Sequence, residues 1–248
     1  MPRSINYWKL RASIAGVGGG GTKPYNNFYG YSSVIGFNGG LSNPSTVPDE
    51  NLQAENTVSY ELGTDFRMFK DRIKLDLTVY STMMEKQLIE TPVDPSSGYR
   101  RKFTNGGEVR NRGIEIALSG DILKSQDKLN WNMYGNLTNY DSKVVSIPTS
   151  LEGRLVLSTL FGSRGTIEAI PGRRFGDIWG LGYERNADGE IIYADGIPVL
   201  AQESTYIGNP NPTTKFGSGN EFKYKGFRFN FLFDGQFGGV GYSLSHAV

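Results

Sequence analysis

The stretch from Val58 to Ser81 carries the clearest pattern in the chain. Val58, Tyr60, Leu62, Thr64, Phe66 and Met68 fall on one face of an extended backbone, and Ser59, Glu61, Gly63, Asp65 and Arg67 on the other. After Phe69-Lys70-Asp71-Arg72 the alternation resumes, with Ile73, Leu75, Leu77 and Val79 opposed to Lys74, Asp76, Thr78 and Tyr80. Two such runs across a short polar break predict a β-hairpin. Each arm reaches the roughly 9–11 tilted residues that a membrane-crossing strand needs, about twice the usual strand of a soluble domain.

The same theme recurs along the chain. Trp8, Leu10, Ala12 and Ile14 alternate with Tyr7, Lys9, Arg11 and Ser13, predicting a first strand that ends at the glycine run Gly18 to Gly21. A long connection to about Pro48 mixes turn-formers with Tyr25, Phe28, Tyr29 and Tyr31 and fits neither periodicity. A second irregular stretch follows the hairpin from about Met83 to Gly107. Ile114, Ile116 and Leu118 then alternate with Gly113, Glu115, Ala117 and Ser119, and after Gly120 to Lys128 a further arm runs from Leu129 to Thr138. From Asp141 to about Thr213 the chain reads as a folded loop, with a short hairpin expected where Trp179–Tyr183 and Ile191–Tyr193 flank Asn186-Ala187-Asp188-Gly189. Phe216 to Tyr224 and Phe227 to Gln236 make a last hairpin around Lys225-Gly226. Long and short connections alternate strictly, which is the layout of bacterial outer-membrane barrels.

Composition narrows the classes. Hydrophobic residues are 38% of the 248, and no apolar run approaches a membrane-spanning helix, so membrane contact has to come from alternating strands. Glycine (33 residues), tyrosine (14) and phenylalanine (14) suit long strands and turns better than helices. A net charge of +1 leaves no basic footprint for nucleic acid, so no nucleic-acid partner is expected. The absence of cysteine removes disulfides, thiolate metal sites and cysteine nucleophiles. Met1-Pro2-Arg3-Ser4 leads directly into strand pattern without the charged head and apolar core of a signal peptide, so an exported protein is expected to have an earlier beginning.

Several motifs reduce to ordinary structure. Gly16-Val17-Gly18-Gly19-Gly20-Gly21 has dinucleotide-fingerprint spacing, but Thr22-Lys23-Pro24 follows where a helix N-terminus is required; it reads as a strand exit. Asp188-Gly189 and Asp195-Gly196 lack the ligand series of a calcium loop and read as turns. His246 is the single histidine, which excludes a histidine triad or a two-histidine metal site within the chain. Asn136-Leu137-Thr138 fits a glycosylation acceptor but lies inside a strand. Glu61 and Asp65 share a face with Arg67 and read as hydrated wall, not as an acid and base pair. No enzyme activity, metal or cofactor is expected.

Tyr7-Trp8-Lys9-Leu10-Arg11-Ala12-Ser13, Asn51-Leu52 with Glu55, Ser59-Tyr60-Glu61-Leu62-Gly63, Asn111-Arg112-Gly113-Ile114-Glu115, Asn130-Trp131 with Asn139, and Ile207-Gly208-Asn209-Pro210-Asn211-Pro212 before Tyr224-Lys225 resemble the barrel of SusC/RagA-like TonB-dependent transporters. Order and spacing match along nearly the whole chain. Ala54 departs from the family, which usually has proline there. The resemblance implies the later part of an outer-membrane barrel, without the plug domain or the closing strands. It also implies import of oligosaccharides or peptides, a SusD-like lipoprotein partner, and energy from TonB through the plug region.

The expected fold is therefore all-β: an antiparallel meander of long strands over residues 1–248, part of a transmembrane barrel with long extracellular loops, apolar faces on outer-membrane lipid and polar faces on the lumen. The alternative is a secreted β-sandwich carbohydrate-binding module, in which the apolar faces would pack together; a glycan-active enzyme has no acid/base constellation behind it. Candidate ligand contacts are the loop aromatics Tyr25, Phe28, Tyr29, Tyr31, Trp179 and Tyr183, whose rings could stack on a ligand. Two structural expectations follow. A wide turn should place Arg67 opposite Asp76, because the tighter register sets Arg67 against Lys74 and Asp65 against Asp76. About seven long strands cannot close a barrel of the roughly 22-stranded class, so the first and last strands should each keep an unpaired edge.

Overall fold

The computed structural model describes all residues except 1–3, 22–23, 26, 35–38, 126–127, 161–164, 242 and 244–248. His246, Thr22 and Lys23 lie outside the described residues. Seven long strands form one antiparallel sheet: β1 (Ile5–Gly19), β2 (Glu55–Met68), β3 (Ile73–Glu85), β4 (Glu108–Leu123), β5 (Asn130–Ser146), β6 (Thr214–Tyr224) and β7 (Phe227–Phe237). They pair strictly with their neighbours in that order, so β1 and β7 are the open edges and the barrel is not closed. The alternating segments are the strands foreseen. Several run further: β3 continues to Glu85, β4 begins at Glu108 and β5 extends to Ser146. These extensions lie on the long-loop side, where the apolar alternation lapses and neighbouring strands supply the pairing.

Cross-strand partners put the apolar positions on one continuous face. Leu10 faces Thr64, Ala12 faces Leu62 and Ile14 faces Tyr60; Leu62, Thr64 and Phe66 face Val79, Leu77 and Leu75; Ile116 stands between Leu77 and Leu137. Trp131 stacks on Phe222 at 5.5 Å, and Phe222 in turn on Phe231 of the edge strand at 6.2 Å. This face is not covered: Leu10 is 61% exposed, Ile14 76% and Phe227 81%. A sandwich requires a second sheet over those residues, so the sandwich alternative is overturned. An uncovered apolar band of this extent is suited to lipid.

The β2–β3 hairpin adopts the tight register, with Met68 opposite Ile73, Arg67 opposite Lys74 and Asp65 opposite Asp76. The expected wide turn is therefore corrected, and the reason comes from β1. Arg11 donates to Asp65 at 2.6 Å and to both oxygens of Asp76 at 2.8 and 3.1 Å, so the two carboxylates share a cation. Arg67 lies over the Tyr7 ring at 4.9 Å. Phe69, Lys70 and Asp71 all take left-handed φ (55°, 58° and 63°), which is unfavourable for non-glycine residues. The Phe69 amide donates to the Ser4 carbonyl at 2.8 Å and the Lys70 amide to Asn6 Oδ1 at 2.7 Å, contacts that offset this strain.

The long connections fold above the sheet. Leu88–Pro92 pairs with Arg101–Asn105, to which Thr46–Val47 adds in parallel. Residues 147–213 hold a four-stranded sheet in the order Leu155–Thr159, Gly165–Ala169, Asp177–Tyr183, Leu200–Gly208. The short hairpin expected there is only half right. Asn186–Gly189 turns back so that Arg185 bridges Ile191, but Trp179 pairs with Tyr206 and Tyr183 with Leu200. The nine-residue Leu200–Gly208 strand offers Asp177–Tyr183 more pairing than Ile191–Tyr193 does. Val144, Leu155 and Ala169, packed by Ile89, Ile147, Leu151 and Phe175, make a buried core beyond the end of the lipid band. Val144 opposes Val109 on the inner face of the sheet, so this core closes over the lumen side, where the second and third loops meet β5.

Candidate functional site: inner wall and loop platform

The inner face of the sheet is polar and narrow in relief. Lys9, Arg11, Asp65, Arg67, Lys74 and Asp76 place both signs of charge across β1 to β3, with Lys9 opposite Asp65 and the like pairs Asp65–Asp76 and Arg67–Lys74 beside it. Part of this wall borders a groove of about 540 Å³ that extends to Ser119, Tyr134 and Asn136. Glycines keep the wall thin where tyrosines lie flat across the neighbouring strand. Tyr80 covers Gly113, where an added Cβ would come within 2.5 Å of the ring, and Tyr134 covers Gly219 in the same way at 2.2 Å. Arg11 likewise crosses Gly63, leaving 2.9 Å to a hypothetical Cβ.

The loop aromatics form two groups. In the first loop, Tyr29 donates its hydroxyl to Asn43 Oδ1 at 3.1 Å and lies 2.9 Å from the Tyr99 hydroxyl, a contact in which either oxygen can donate. This chain of hydroxyls pushes the Tyr29 phenol up to about 12, the Tyr99 hydrogen bond being the main cause and desolvation the next. Tyr31 meets Tyr29 edge to face at 5.7 Å. Phe28 and Tyr25 stand exposed, and Tyr25 helps line a cavity of about 230 Å³ with Leu52, Ala54 and Leu88. Tyr99 and Asn43 were not singled out from sequence; the Ser97-Gly98 turn beside Tyr99 is the signal that places it at a loop tip.

Trp179 and Tyr183 belong to the second group, in the four-stranded loop sheet. Trp179 meets Tyr206 across the strand pair at 5.9 Å, and the guanidinium of Arg173 lies 4.8 Å from the Trp179 centroid and 5.3 Å from that of Tyr206. Arg154 approaches Trp179 at 5.8 Å. Tyr183 is half exposed at the end of its strand. No ring contact among the described residues joins this group to Tyr25, Phe28, Tyr29 or Tyr31. Beneath the rings two carboxylates stand opposite each other, Glu168 (2% exposed) and Asp177 (3%). Glu168 accepts from Thr166 at 2.6 Å and pairs with Arg154 at 3.4 Å, while Asp177 accepts from Asn209 at 2.8 Å. Among the described residues no group of three or more His, Cys, Asp or Glu side chains is placed to hold a metal ion.

An open antiparallel sheet with an uncovered apolar outer face, a charged inner face, short turns at one end and folded loops at the other defines a segment of outer-membrane β-barrel. Residues 4–236 match the model of the family described as TonB dependent receptor-like, beta-barrel, and the chain belongs to that family. Members of the family are transporters of the outer membrane, not enzymes. Among its relatives is TonB-dependent receptor P3 of Formosa agariphila, 25% identical over 264 residues, covering 95% of this chain and 26% of the relative. TonB-dependent receptor P26 of the same organism is 26% identical over 223 residues, covering 82% and 22%. The chain thus spans about a quarter of the length of these relatives. Its fold is similar to that of part of a chain in the structure of the RagAB peptide transporter (TM-score 0.74, 18% identity, 94% of this chain and 27% of that one). The RagAB peptide importer in the 'closed-closed' state agrees (TM-score 0.76, 17% identity, 96% and 27%).

Proposed function

We propose that this chain forms the later wall of a SusC/RagA-type importer that takes up short peptides or oligosaccharides, with a SusD-like lipoprotein over the loops and a TonB-energised plug inside. The division of the molecule carries this reading. The outer face is fitted to lipid, the inner face carries both signs of charge, and the loops, on one side only, build a buried core of their own. Peptides suit the inner face better than neutral sugars, because Arg11, Asp65, Arg67, Lys74 and Asp76 offer charge-assisted partners to both ends of a zwitterion. The resemblance in fold to a peptide transporter supports the same choice.

The test is uptake by cells that carry the complete transporter. Disrupting it should abolish accumulation of a labelled mixture of short peptides, and removing TonB should do the same. Loss of oligosaccharide uptake with peptide uptake intact would reverse the substrate class. Retention of both would remove the import reading.

A further inference from the structure

The loop sheet holds three arginines in contrasting states. Arg154 pairs with the buried Glu168. Arg174 pairs with Asp141 at 3.5 Å and donates to the Asn211 carbonyl at 3.1 Å. Arg173 has only rings beneath it: its guanidinium lies over Trp179 and Tyr206, and its side chain has no carboxylate or carbonyl partner among the described residues. The nearby carboxylates are engaged elsewhere, Glu168 by Thr166 and Arg154, Asp177 by Asn209.

The backbone of Arg173 is hydrogen-bonded on both sides. Its amide donates to the Ile170 carbonyl at 3.0 Å, and its carbonyl accepts from the Val144 amide at 2.9 Å, tying it to the end of β5. Gly172, at φ 85°, makes the turn that presents it. A guanidinium held over aromatic rings by cation–π attraction gives up none of its five N–H donors to them, so the contact positions the fork without consuming it. Much of the ordering entropy that a flexible arginine would lose on binding is already lost.

We propose that Arg173, seated on Trp179 and Tyr206, is a carboxylate-capture site that receives the anionic end of an incoming peptide on the loop side of the wall. This rests on the peptide-import reading and names the group that is recognised. Arginine meets a carboxylate through two parallel hydrogen bonds, and a neutral oligosaccharide offers no such group. The Trp179 and Tyr206 rings serve here as the seat of the arginine.

Uptake by the complete transporter distinguishes the possibilities, using a pool of short synthetic peptides lacking Asp and Glu, made as free acids and as C-terminal amides, and a third pool of Asp-containing amides. The wild type should prefer free acids to amides by about tenfold or more, the scale of a charge-assisted pair. Arg173→Ala should bring that ratio close to one, and Arg173→Lys, which keeps the charge and loses the planar fork, should give an intermediate ratio. Recovery of the preference with Asp-containing amides would assign the site to side-chain carboxylates; its absence assigns it to the chain terminus. A wild type that takes up free acids and amides equally overturns the site and leaves peptide import standing, as does an unchanged ratio in Arg173→Ala. A wild type that takes up no pool overturns both.

Discussion

Asp65 of β2 stands directly opposite Asp76 of β3, and the pair is held by a single guanidinium reaching across from β1. Like charges in direct cross-strand register are destabilising by themselves, so the register depends on Arg11. Substituting Arg11→Ala in the complete barrel should lower the urea midpoint of unfolding, and adding Asp76→Asn should recover most of the loss. A single variant as stable as the wild type would show that lumen water alone screens the two carboxylates.

Tyr80 lies across Gly113 so closely that a methyl group there meets ring carbons at 2.5 and 2.8 Å. Gly113→Ala should cost about 1–3 kcal/mol through overpacking. Combining it with Tyr80→Ala should cost less than the sum of the two single changes, because the clash leaves with the ring. Additive losses in a double-mutant cycle would mean that the tyrosine moves aside freely.

Tyr29 is the centre of the first-loop group, hydrogen-bonded to Asn43 and Tyr99 and in edge contact with Tyr31. Replacing Tyr29 and Tyr31 by alanine should weaken uptake without lowering the amount of transporter in the membrane. Unchanged uptake at equal abundance would reduce these rings to loop packing.

The same hydroxyl chain makes a pH prediction. A phenol raised from its ordinary 10 to about 12 is held in its neutral form by the fold. Its contribution to loop order is then complete below pH 10 and disappears as pH climbs through about 12. The tyrosinate absorbance difference between wild type and Tyr29→Phe should show one group titrating near 12. A difference component at the ordinary tyrosine value would break the proposed hydroxyl chain.

The long strands were legible because each keeps one face in lipid and one in water, which writes a period of two directly into the chain. Register was less legible for a related reason. A slide of two residues leaves Leu62, Phe66, Leu75 and Val79 on their own faces, so alternation cannot choose between pairings. The choice fell to Arg11, more than fifty positions away in sequence from the carboxylates it bridges. The loop sheet was hidden differently. Glu168 and Asp177 are polar yet buried, Glu168 held by Thr166 and Arg154 and Asp177 by Asn209, so the apolar signature of burial is missing at two of the most buried positions. Trp179 was recognised as a candidate, but Arg173 beside it was not. An Arg-Arg pair after a Pro-Gly turn was the available signal, and only the fold separates the paired Arg174 from the stacked Arg173.

The open edges set the last expectation. β1 pairs only with β2 and β7 only with β6, so each leaves a row of unpaired backbone groups along its outer side. At β7 that edge sits beside Phe227, Phe229, Phe233 and Phe237, all well exposed. Within a complete barrel both edges would find neighbouring strands and the phenylalanines would find lipid. For residues 4–236 alone neither partner exists, and a long apolar edge strand is a template for aggregation. The segment expressed alone and refolded into detergent should therefore aggregate, give no heat-modifiable band, resist no protease and conduct no ions. A cooperative, protease-resistant monomer in detergent would require β1 and β7 to pair with each other, and a band at the monomer position that shifts on heating is the observation that would overturn the open sheet.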